Sequence, residues 1–510
     1  PSITTTSSGQ VYTYEGTANG AVIFTLVLRA DGSYSFTLNG AVDHPVNADE
    51  LTLNIPVLVQ DRDGDTASVT LPVTIHDDKP INPVAEALSV HEDDLATGTA
   101  QSKESTTANG QFTTTQGADG IAHYRIDTST SNDTGLTSQG QAVVWGSPSI
   151  TTTSSGQVYT YQGIANGVVI FTLVLRADGS YSFTLNGAVD HPVNADELTL
   201  NIPVLVQDRD GDTAPVTLPV TIYDDKPINP VAEALSVHED DLASGTAQTK
   251  ESTTANGQFT ITQGADGIAH YRIDTSTSSE TGLTSQGQAV VWGAPSITTT
   301  SSGQVYTYEG TANGAVIFTL VLRADGSYSF TLNGAVDHPV NADELTLNIP
   351  VLVQDRDGDT ASVTLPVTIH DDKPINPVAE ALSVHEDDLT SGTAQTKEST
   401  TDNGQFTITQ GADGIAHYRI DTSTSSETGL TSQGQAVVWG APSITTTSSG
   451  QVYTYEGTAN GAVIFTLVLR ADGSYSFTLN GAVDHPVNAD ELTLNIPVLV
   501  QDRDGDTASV

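Results

Sequence analysis

The sequence predicts an all-β chain of tandem Ig-like or cadherin-like antiparallel β-sandwich domains in a linear array. Three observations predict it. Apolar residues alternate with polar ones over long stretches, the period of a half-buried strand. No segment carries a convincing helical period; Ala85-Glu-Ala-Leu88 is the only helix-like composition, and it is short. Finally, the block Pro1-Ser-Ile-Thr-Thr-Thr-Ser-Ser-Gly-Gln returns with its proline at Pro148, Pro295 and Pro442, a period of 147 residues. Solenoid units run about 20–50 residues. A period of 147 is long enough for each copy to own a core, so the chain reads as a string of nearly identical domains.

The strands follow in order from period-2 patterning. In residues 180–185, Tyr181, Phe183 and Leu185 share one face and hydroxyls take the other. Leu198, Leu200, Ile202, Val204 and Val206 align in the next strand, and Val216, Leu218, Val220 and Ile222 in the last. Pro203 and Pro219 fall on the outward parity, which predicts edges or bulges there. Further strands are expected at 87–90, 111–115, 121–126, 142–145, 158–162 and 168–176, about nine in all. Residues 176–180, Arg-Ala-Asp-Gly-Ser, read as a hairpin loop. Trp145, Trp292 and Trp439 each lie in Ala-Val-Val-Trp-Gly and are expected as core anchors.

The junction between copies is expected at Asp77-Asp-Lys-Pro-Ile-Asn-Pro83, repeated at 224–230 and 371–377. Two prolines with adjacent charges predict an extended linker that no sheet absorbs. Cutting there gives a partial repeat at 1–82, whole repeats at 83–229 and 230–376, and a repeat at 377–510 lacking its last strand. A cut at Pro1, Pro148 and Pro295, or a division of each copy into two smaller pieces, remains open.

Lys and Arg number 17 against 62 Asp and Glu, a net charge of −45. That balance excludes nucleic acid and anionic membrane surfaces as partners and favours cations. Cysteine is absent, which removes disulfides, thiolate metal sites and cysteine nucleophiles. No apolar run approaches the ~20 residues of a membrane span, so no direct membrane insertion is expected. With 37% hydrophobic and only 15% charged residues, the chain reads as folded. No signal-like segment and no Met opens it, which predicts an internal piece of a longer protein.

Three acidic motifs recur. The first is Asp208-Arg-Asp-Gly-Asp212, with Asp61, Asp63 and Asp65, Asp355, Asp357 and Asp359, and Asp502, Asp504 and Asp506 as its counterparts. Carboxylates at i, i+2 and i+4 around a glycine suit a hard cation; a polar hairpin turn is the alternative. The second is Asp77-Asp78, with Asp224-Asp225 and Asp371-Asp372, at the end of the last strand. Adjacent like charges there repel unless neutralised, although a solvated linker would also carry them. The third is His91-Glu-Asp-Asp94, with copies beginning at His238 and His385, where one imidazole with three acids suits calcium, or simply a loop, better than zinc. Consecutive antiparallel strands put the first two motifs at opposite poles of a domain. Stacked head to tail, Asp77-Asp78 meets Asp208, Asp210 and Asp212, and Asp224-Asp225 meets Asp355, Asp357 and Asp359. The expected cofactor is therefore Ca2+, bridging domains.

The run Val204-Leu-Val-Gln-Asp-Arg-Asp-Gly-Asp212, with Val220-Thr-Ile-Tyr-Asp-Asp-Lys-Pro227, resembles the end of the tandem extender repeats of giant RTX adhesins exported by type I secretion. The resemblance covers the whole chain, since the chain is one repeat reiterated. It implies bacterial Ig-like or cadherin-like domains, calcium at their junctions, and a non-catalytic stalk at the cell surface, extracellular, serving adhesion and biofilm formation. The glycine-rich nonapeptide repeats and secretion signal of that family lie elsewhere in its members and are not found here. The expected partners are the neighbouring repeats of the same chain, in a monomer.

Catalysis is not expected. His44, His76, His91 and His123 sit in no nucleophile elbow, zincin helix or phosphate loop. The competing reading is a multivalent carbohydrate- or protein-binding array that grips through Trp145, Tyr124 or the His91 loop.

Overall fold

The structure is a computed structural model and describes residues 1–129, 131–276, 279–395, 398–423 and 427–510. The chain forms two compact units. One comprises Pro1–Ile228 with Thr262–Ile268 and Asp355–Thr360; the other comprises Asn229–Ile261, Ala269–Gln354 and Ala361–Val510.

The first unit holds one complete sandwich. Its strands are β1 (Ile81–Ala85), β2 (Leu88–His91), β3 (Thr107–Thr115), β4 (Ile121–Ile126), β5 (Asp133–Ser138), β6 (Gln141–Trp145), β7 (Ser149–Thr153), β8 (Gly156–Ala165), β9 (Val168–Arg176), β10 (Ser180–Leu185), β11 (Glu197–Asp208) and β12 (Thr213–Tyr223). One sheet runs β4-β11-β12-β2 and the other β5-β6-β8-β9-β10-β3-β1, with β7 also paired to β8. Ahead of it, Ser2–Thr6, Gly9–Ala18, Ala21–Arg29 and Tyr34–Leu38 form a four-stranded sheet, and Glu50–Gln60 and Thr66–His76 a hairpin. These repeat the sequences of β7 to β12.

The second unit holds the same arrangement twice. Ile228–Ala232, whose first residue belongs to the first unit, opens the sheet of the first of these copies. In the last copy the smaller sheet has three strands, Ile415–Ile420, Val498–Asp502 and Thr507–Ser509. No helix among the described residues is long and apolar enough to cross a membrane.

The core between the sheets is built from the alternating residues. Phe183, Ile202, Val206, Leu218 and Val220 are fully buried, and Leu185, Leu200 and Val204 nearly so. At roughly 25 cal/mol per Å2 of apolar area, this burial is what holds the sheets together. Trp145 packs edge-on against Phe171 with ring centroids 5.1 Å apart, as a core anchor. Tyr124, 3% exposed, stacks on Phe112 at 4.6 Å. The Tyr161 hydroxyl accepts from Ile126 N at 3.1 Å and ties the two sheets together.

Four details depart from expectation. Residues 81–85 of the linker are not free: they form β1, which pairs with β3 through Ile81↔Thr115, Val84↔Thr113 and Ala85↔Phe112, with a register shift where Pro83 sits. The bulge skips the missing N–H, so the sheet absorbs the proline after all. Pro203 and Pro219 lie in interior strands of an unbroken β11–β12 ladder. Each stands one residue past the end of the outer neighbour, since β4 reaches only to Val204 and β2 only to Val220, so each is a local edge without being an edge strand. Strands β5 and β7 carry no apolar alternation and were not expected; β7 is exposed along its whole length. Finally, β2 pairs with β12 in parallel, Val220↔Leu88 and Ile222↔Val90. This pair is the exception in an otherwise antiparallel sandwich, and it sends the end of β2 to the same pole as the end of β12.

Gly163 on β8 lies beneath the Phe171 ring; a Cβ there would come within 2.2 Å of it. The ring is fully buried and has nowhere to move. Gly163→Ala should therefore destabilise its sandwich by roughly 1–3 kcal/mol. In calorimetry of the whole chain the sandwich carrying the change should melt earlier. An unchanged thermogram would mean the core yields to the methyl group.

Candidate metal centre

The turn between β11 and β12 is Asp208-Arg-Asp-Gly-Asp212. It is a hairpin turn and an acidic cluster at once. Asp208 Oδ1 accepts from Gly211 N at 2.9 Å and from Asp212 N at 2.7 Å, and Gly211 takes φ 113°, which a side chain would resist. One carboxylate thus shapes the turn, and the other two point outward from it.

What those two meet depends on the copy. Around Asp61, Asp63 and Asp65 the same turn is exposed, and Asp61 accepts Gly64 N and Asp65 N in solvent. The later copies are buried against the preceding repeat. Asp210 Oδ2 accepts His44 N at 3.2 Å, and Asp212 Oδ1 accepts Asn47 N at 2.8 Å. In the same unit, Asp357 Oδ2 accepts His191 N at 3.2 Å and Asp359 Oδ1 accepts Asn194 N at 3.0 Å. The second unit repeats this with Asp504 on His338 N at 3.3 Å and Asp506 on Asn341 N at 3.0 Å.

Asp77, Asp224 and Asp371 sit opposite. Asp224 is 1% exposed at its side chain. Its burial, a hydrogen bond shared with Asp359, and the charges of Asp357 and Asp359 push its carboxyl up to about 8. Asp359 moves the other way: against its burial, the hydrogen bonds from Asp224 and Lys226 hold it below the ordinary range. The opposite shifts make Asp224 the acid and Asp359 the carboxylate of the pair. Burial, then the Asp359-like partner Asp506 and the charge of Asp504, push Asp371 up to about 8 as well. Burial, then Asp212 and Asp210, also raises Asp77. Asp208, Asp355 and Asp502 rise to about 6, 7 and 8, in each case chiefly through burial and then through the aspartate two residues on.

Asp225 and Asp372 are placed differently from their neighbours. Asp225 Oδ2 accepts Thr99 N at 3.0 Å and Ala265 N at 2.9 Å, and its Oδ1 takes the Thr99 hydroxyl. Asp372 does the same with Thr246 and Ala412, and Asp78 accepts Ala118 N at 3.0 Å. These carboxylates secure the joint by hydrogen bonds.

Three kinds of residue join the cluster beyond the two aspartate motifs, the glutamate coming from the third motif. Glu92, in the 3-10 turn Glu92–Asp94, is fully buried and accepts Val189 N at 2.7 Å. Burial, then the charge of Asp266, raises it well above the carboxylate range, and Glu239 behaves alike beside Asp413. Asp266, 4% exposed, is pushed up to about 8 by burial and then by Asp357 and Asp355. His44, His191 and His338 are buried beside the aspartates. Asp266 had a readable signal: its turn precedes the strand Ile268–Ile273, whose counterpart β4 pairs its first residue with Asp208, so the two turns must share a pole. Glu92 stood in the third motif, and the parallel β2–β12 pair brings it to this pole.

Compensating charge reaches the cluster only at its margin: Arg356 Nη1 donates to the Asp266 carbonyl oxygen at 3.1 Å and not to its carboxylate. Asp224 Oδ2, Glu92 Oε2, Asp266 Oδ2, Asp355 Oδ2 and Asp357 Oδ1 are buried without a hydrogen-bond partner. The ammonium of Lys226 reaches the rim, 3.2 Å from Asp359 and 2.6 Å from Asp196. Carboxylates in this state call for a cation, and a ring of aspartate and glutamate oxygens fits a hard one such as Ca2+.

A pH dependence follows. These carboxyls have folded values above their ordinary 3.8, so they favour the closed joint while protonated. That contribution is lost as pH rises through about 7 to 8. In chelator the melting temperature of the chain should fall between about pH 5 and about pH 9. In millimolar calcium the fall should vanish, because the ion needs the ionised form. A melting temperature in chelator that ignores pH would show that the acids are not buried together.

Comparison with known proteins follows the repeat. Over its full length the chain is similar to the tetra-tandem repeat in the extending region of a large adhesion protein, at 15% identity, covering 99% of this chain and 91% of that one, with a TM-score of 0.31. It is also similar to the extracellular cadherin domains 1–4 of protocadherin gamma B7 (10% identity, 98% and 90% covered, TM-score 0.29) and to human CDH23 EC21–23 (12%, 85% and 98%, 0.24). No curated protein matches the chain. Three stretches, residues 87–221, 234–368 and 381–510, match a domain family of unknown function, DUF5801, and since they make up most of the sequence, the chain belongs to that family in three tandem copies.

Proposed function

We propose that the chain is a calcium-stiffened stalk segment of a bacterial cell-surface adhesin of the type I-secreted RTX kind, non-catalytic, which holds binding domains elsewhere in the molecule away from the cell for adhesion and biofilm formation. The observation that carries this reading is the set of buried, unpartnered carboxylate oxygens that two consecutive repeats bring together, as in Asp224 and Glu92 against Asp355 and Asp357. The resemblance of the sequence to extender repeats agrees with it, as does a net charge of −45, which suits a solvated extracellular chain. The partners of each repeat are then its neighbours in the same monomer.

The ion would act as a clamp. Two unit charges ~6 Å apart repel by about 3 kcal/mol at an effective dielectric of 20. Once pH exceeds about 8 and these carboxyls are ionised, several such pairs drive an ion-free joint open. Calcium takes six to eight oxygens at 2.3–2.6 Å and converts the repulsion to attraction, and extracellular modules bind it at Kd ~10⁻⁴–10⁻³ M. Such sites stay empty in a cytoplasm and fill outside, so the chain would be loose until exported. The alternative of a multivalent binder has less support, because Trp145 and Tyr124 are 7% and 3% exposed and offer no platform.

Solution scattering tests the proposal. Chelator should shorten the maximum dimension of the chain and lower its melting temperature, the latter by mass action. Asp355→Ala with Asp357→Ala should remove only part of the calcium response, since the joints containing Asp210 and Asp504 keep their acids. Identical scattering and melting in millimolar calcium and in chelator would rule the clamp out.

A further inference from the structure

Within each acidic pole lies a donor set that is not all oxygen. Glu92, His191 and Asp224 each offer a ligand atom, all within 4.8 Å of one another. None of the three side chains is more than 1% exposed. The ring of His191 is held from behind: Nε2 lies 3.2 Å from the Ile222 carbonyl oxygen, to which it can only donate. When the ring proton sits there, Nδ1 is free to take a cation. It faces Asp224 Oδ1 at 3.7 Å and the Val189 carbonyl oxygen at 3.1 Å. A cation at Nδ1 would take the place of an N–H directed at the Val189 carbonyl and would meet the carboxylate oxygens as well. Glu92 Oε2 and Asp224 Oδ2 are buried beside it without hydrogen bonds.

The set recurs. In the second unit His338 Nδ1 lies 3.7 Å from Asp371 Oδ1, 4.0 Å from Glu239 Oε1 and 3.1 Å from the Val336 carbonyl oxygen, with Nε2 on the Ile369 carbonyl at 3.2 Å. In the first unit His44 Nδ1 lies 3.5 Å from Asp77 and 3.9 Å from Asp210, Nε2 meets the Ile75 carbonyl at 3.2 Å, and Nδ1 is buried with no hydrogen-bond partner.

We propose that each of these three pockets binds a first-row transition cation of the zinc class, through one imidazole nitrogen and the carboxylates beside it, next to the oxygen-only calcium positions. The inference rests on the joint being a cation site, since Asp224 and Asp371 belong to both. The donors decide the class. A neutral imidazole with carboxylates suits Zn2+ and its neighbours, whereas Ca2+ takes oxygen. Bonds of about 2.0–2.2 Å set tetrahedral ligands about 3.3–3.5 Å apart; separations of 3.5–4.0 Å need to close by only a few tenths. A backbone carbonyl holding the far ring nitrogen is the usual outer support of a metal-bound histidine.

The test uses the whole chain in saturating calcium, titrated with Co2+. A four-coordinate site containing nitrogen gives a visible ligand-field band, to which calcium contributes nothing. The band should saturate near three Co2+ per chain and be displaced by Zn2+. The variant His44→Gln, His191→Gln, His338→Gln should lose it, while His91→Gln with His238→Gln should keep it. The calcium-induced rise in melting temperature, read on the same samples, separates the two readings. A band without a calcium response sinks the clamp and leaves this site standing; a calcium response without a band does the reverse. Should the triple variant misfold, anomalous diffraction at the zinc edge from wild-type crystals decides, and absence of a peak at His191 Nδ1 overturns the proposal.

Discussion

Negative charge without enough water is the constraint on which the joints depend. In each buried pole the aspartates and a glutamate come from separate segments and are packed against backbone. Internal compensation reaches them only in part. Lys226 touches Asp359 from the rim, 37% exposed, and leaves Glu92, Asp266 and Asp224 without an ammonium. Raised carboxyls such as Asp224 relieve the crowding at the cost of ionisation. A multivalent ion relieves it without that cost. The hydrophobic cores supply the stability that keeps these acids in place while the charge goes unbalanced.

Two features of the sandwich make the pole what it is. The parallel β2–β12 pair carries the turn at Glu92 to the place where Asp224 leaves β12. An antiparallel pairing would have sent Glu92 to the far end. The capture of residues 81–85 into β1 shortens the free linker to the few residues after Asp77. The room for two repeats to swing is therefore small, and the acids on either side are held close enough to matter.

The strands were legible because their inner faces alternate: β4, β9 and β10 have the bounds that patterning gives them. Strands β5 and β7 were not, since Asp133–Ser138 has one large apolar residue and Ser149–Thr153 is an exposed edge. The acidic turns were legible as turns and as acids, but their two fates were not. Asp61 and Asp208 have the same neighbours in sequence, and only the presence of a facing pole makes one solvated and the other buried. Of the paired aspartates, Asp224 faces the cluster while Asp225 spends its oxygens on Thr99 and Ala265; adjacent residues at a strand end point to opposite sides, which spacing alone does not assign. Asp266 and His191 stayed hidden, and Glu92 of the third motif was not joined to the other two motifs, for a different reason. They are far apart in the chain, and only the sheet order collects them.

The contact between repeats also ties together the residues at the poles of successive copies. The two poles of a repeat are complementary to each other and not to themselves: Asp355, Asp357 and Asp359 answer Asp224, His191 and Asn194. Such a heterologous contact can be reiterated without closing. A change on one pole must be matched on the other in the next copy, so drift at the acids breaks two partners at once. Away from the acids the copies do differ. Position 223 is Tyr where 370 is His, and each ring stacks on the histidine of β2 or its counterpart, at 4.4 Å for Tyr223 on His91 and 4.1 Å for His370 on His238. A flat ring is all that slot requires. The turn aspartates have no such latitude, and all four copies keep them.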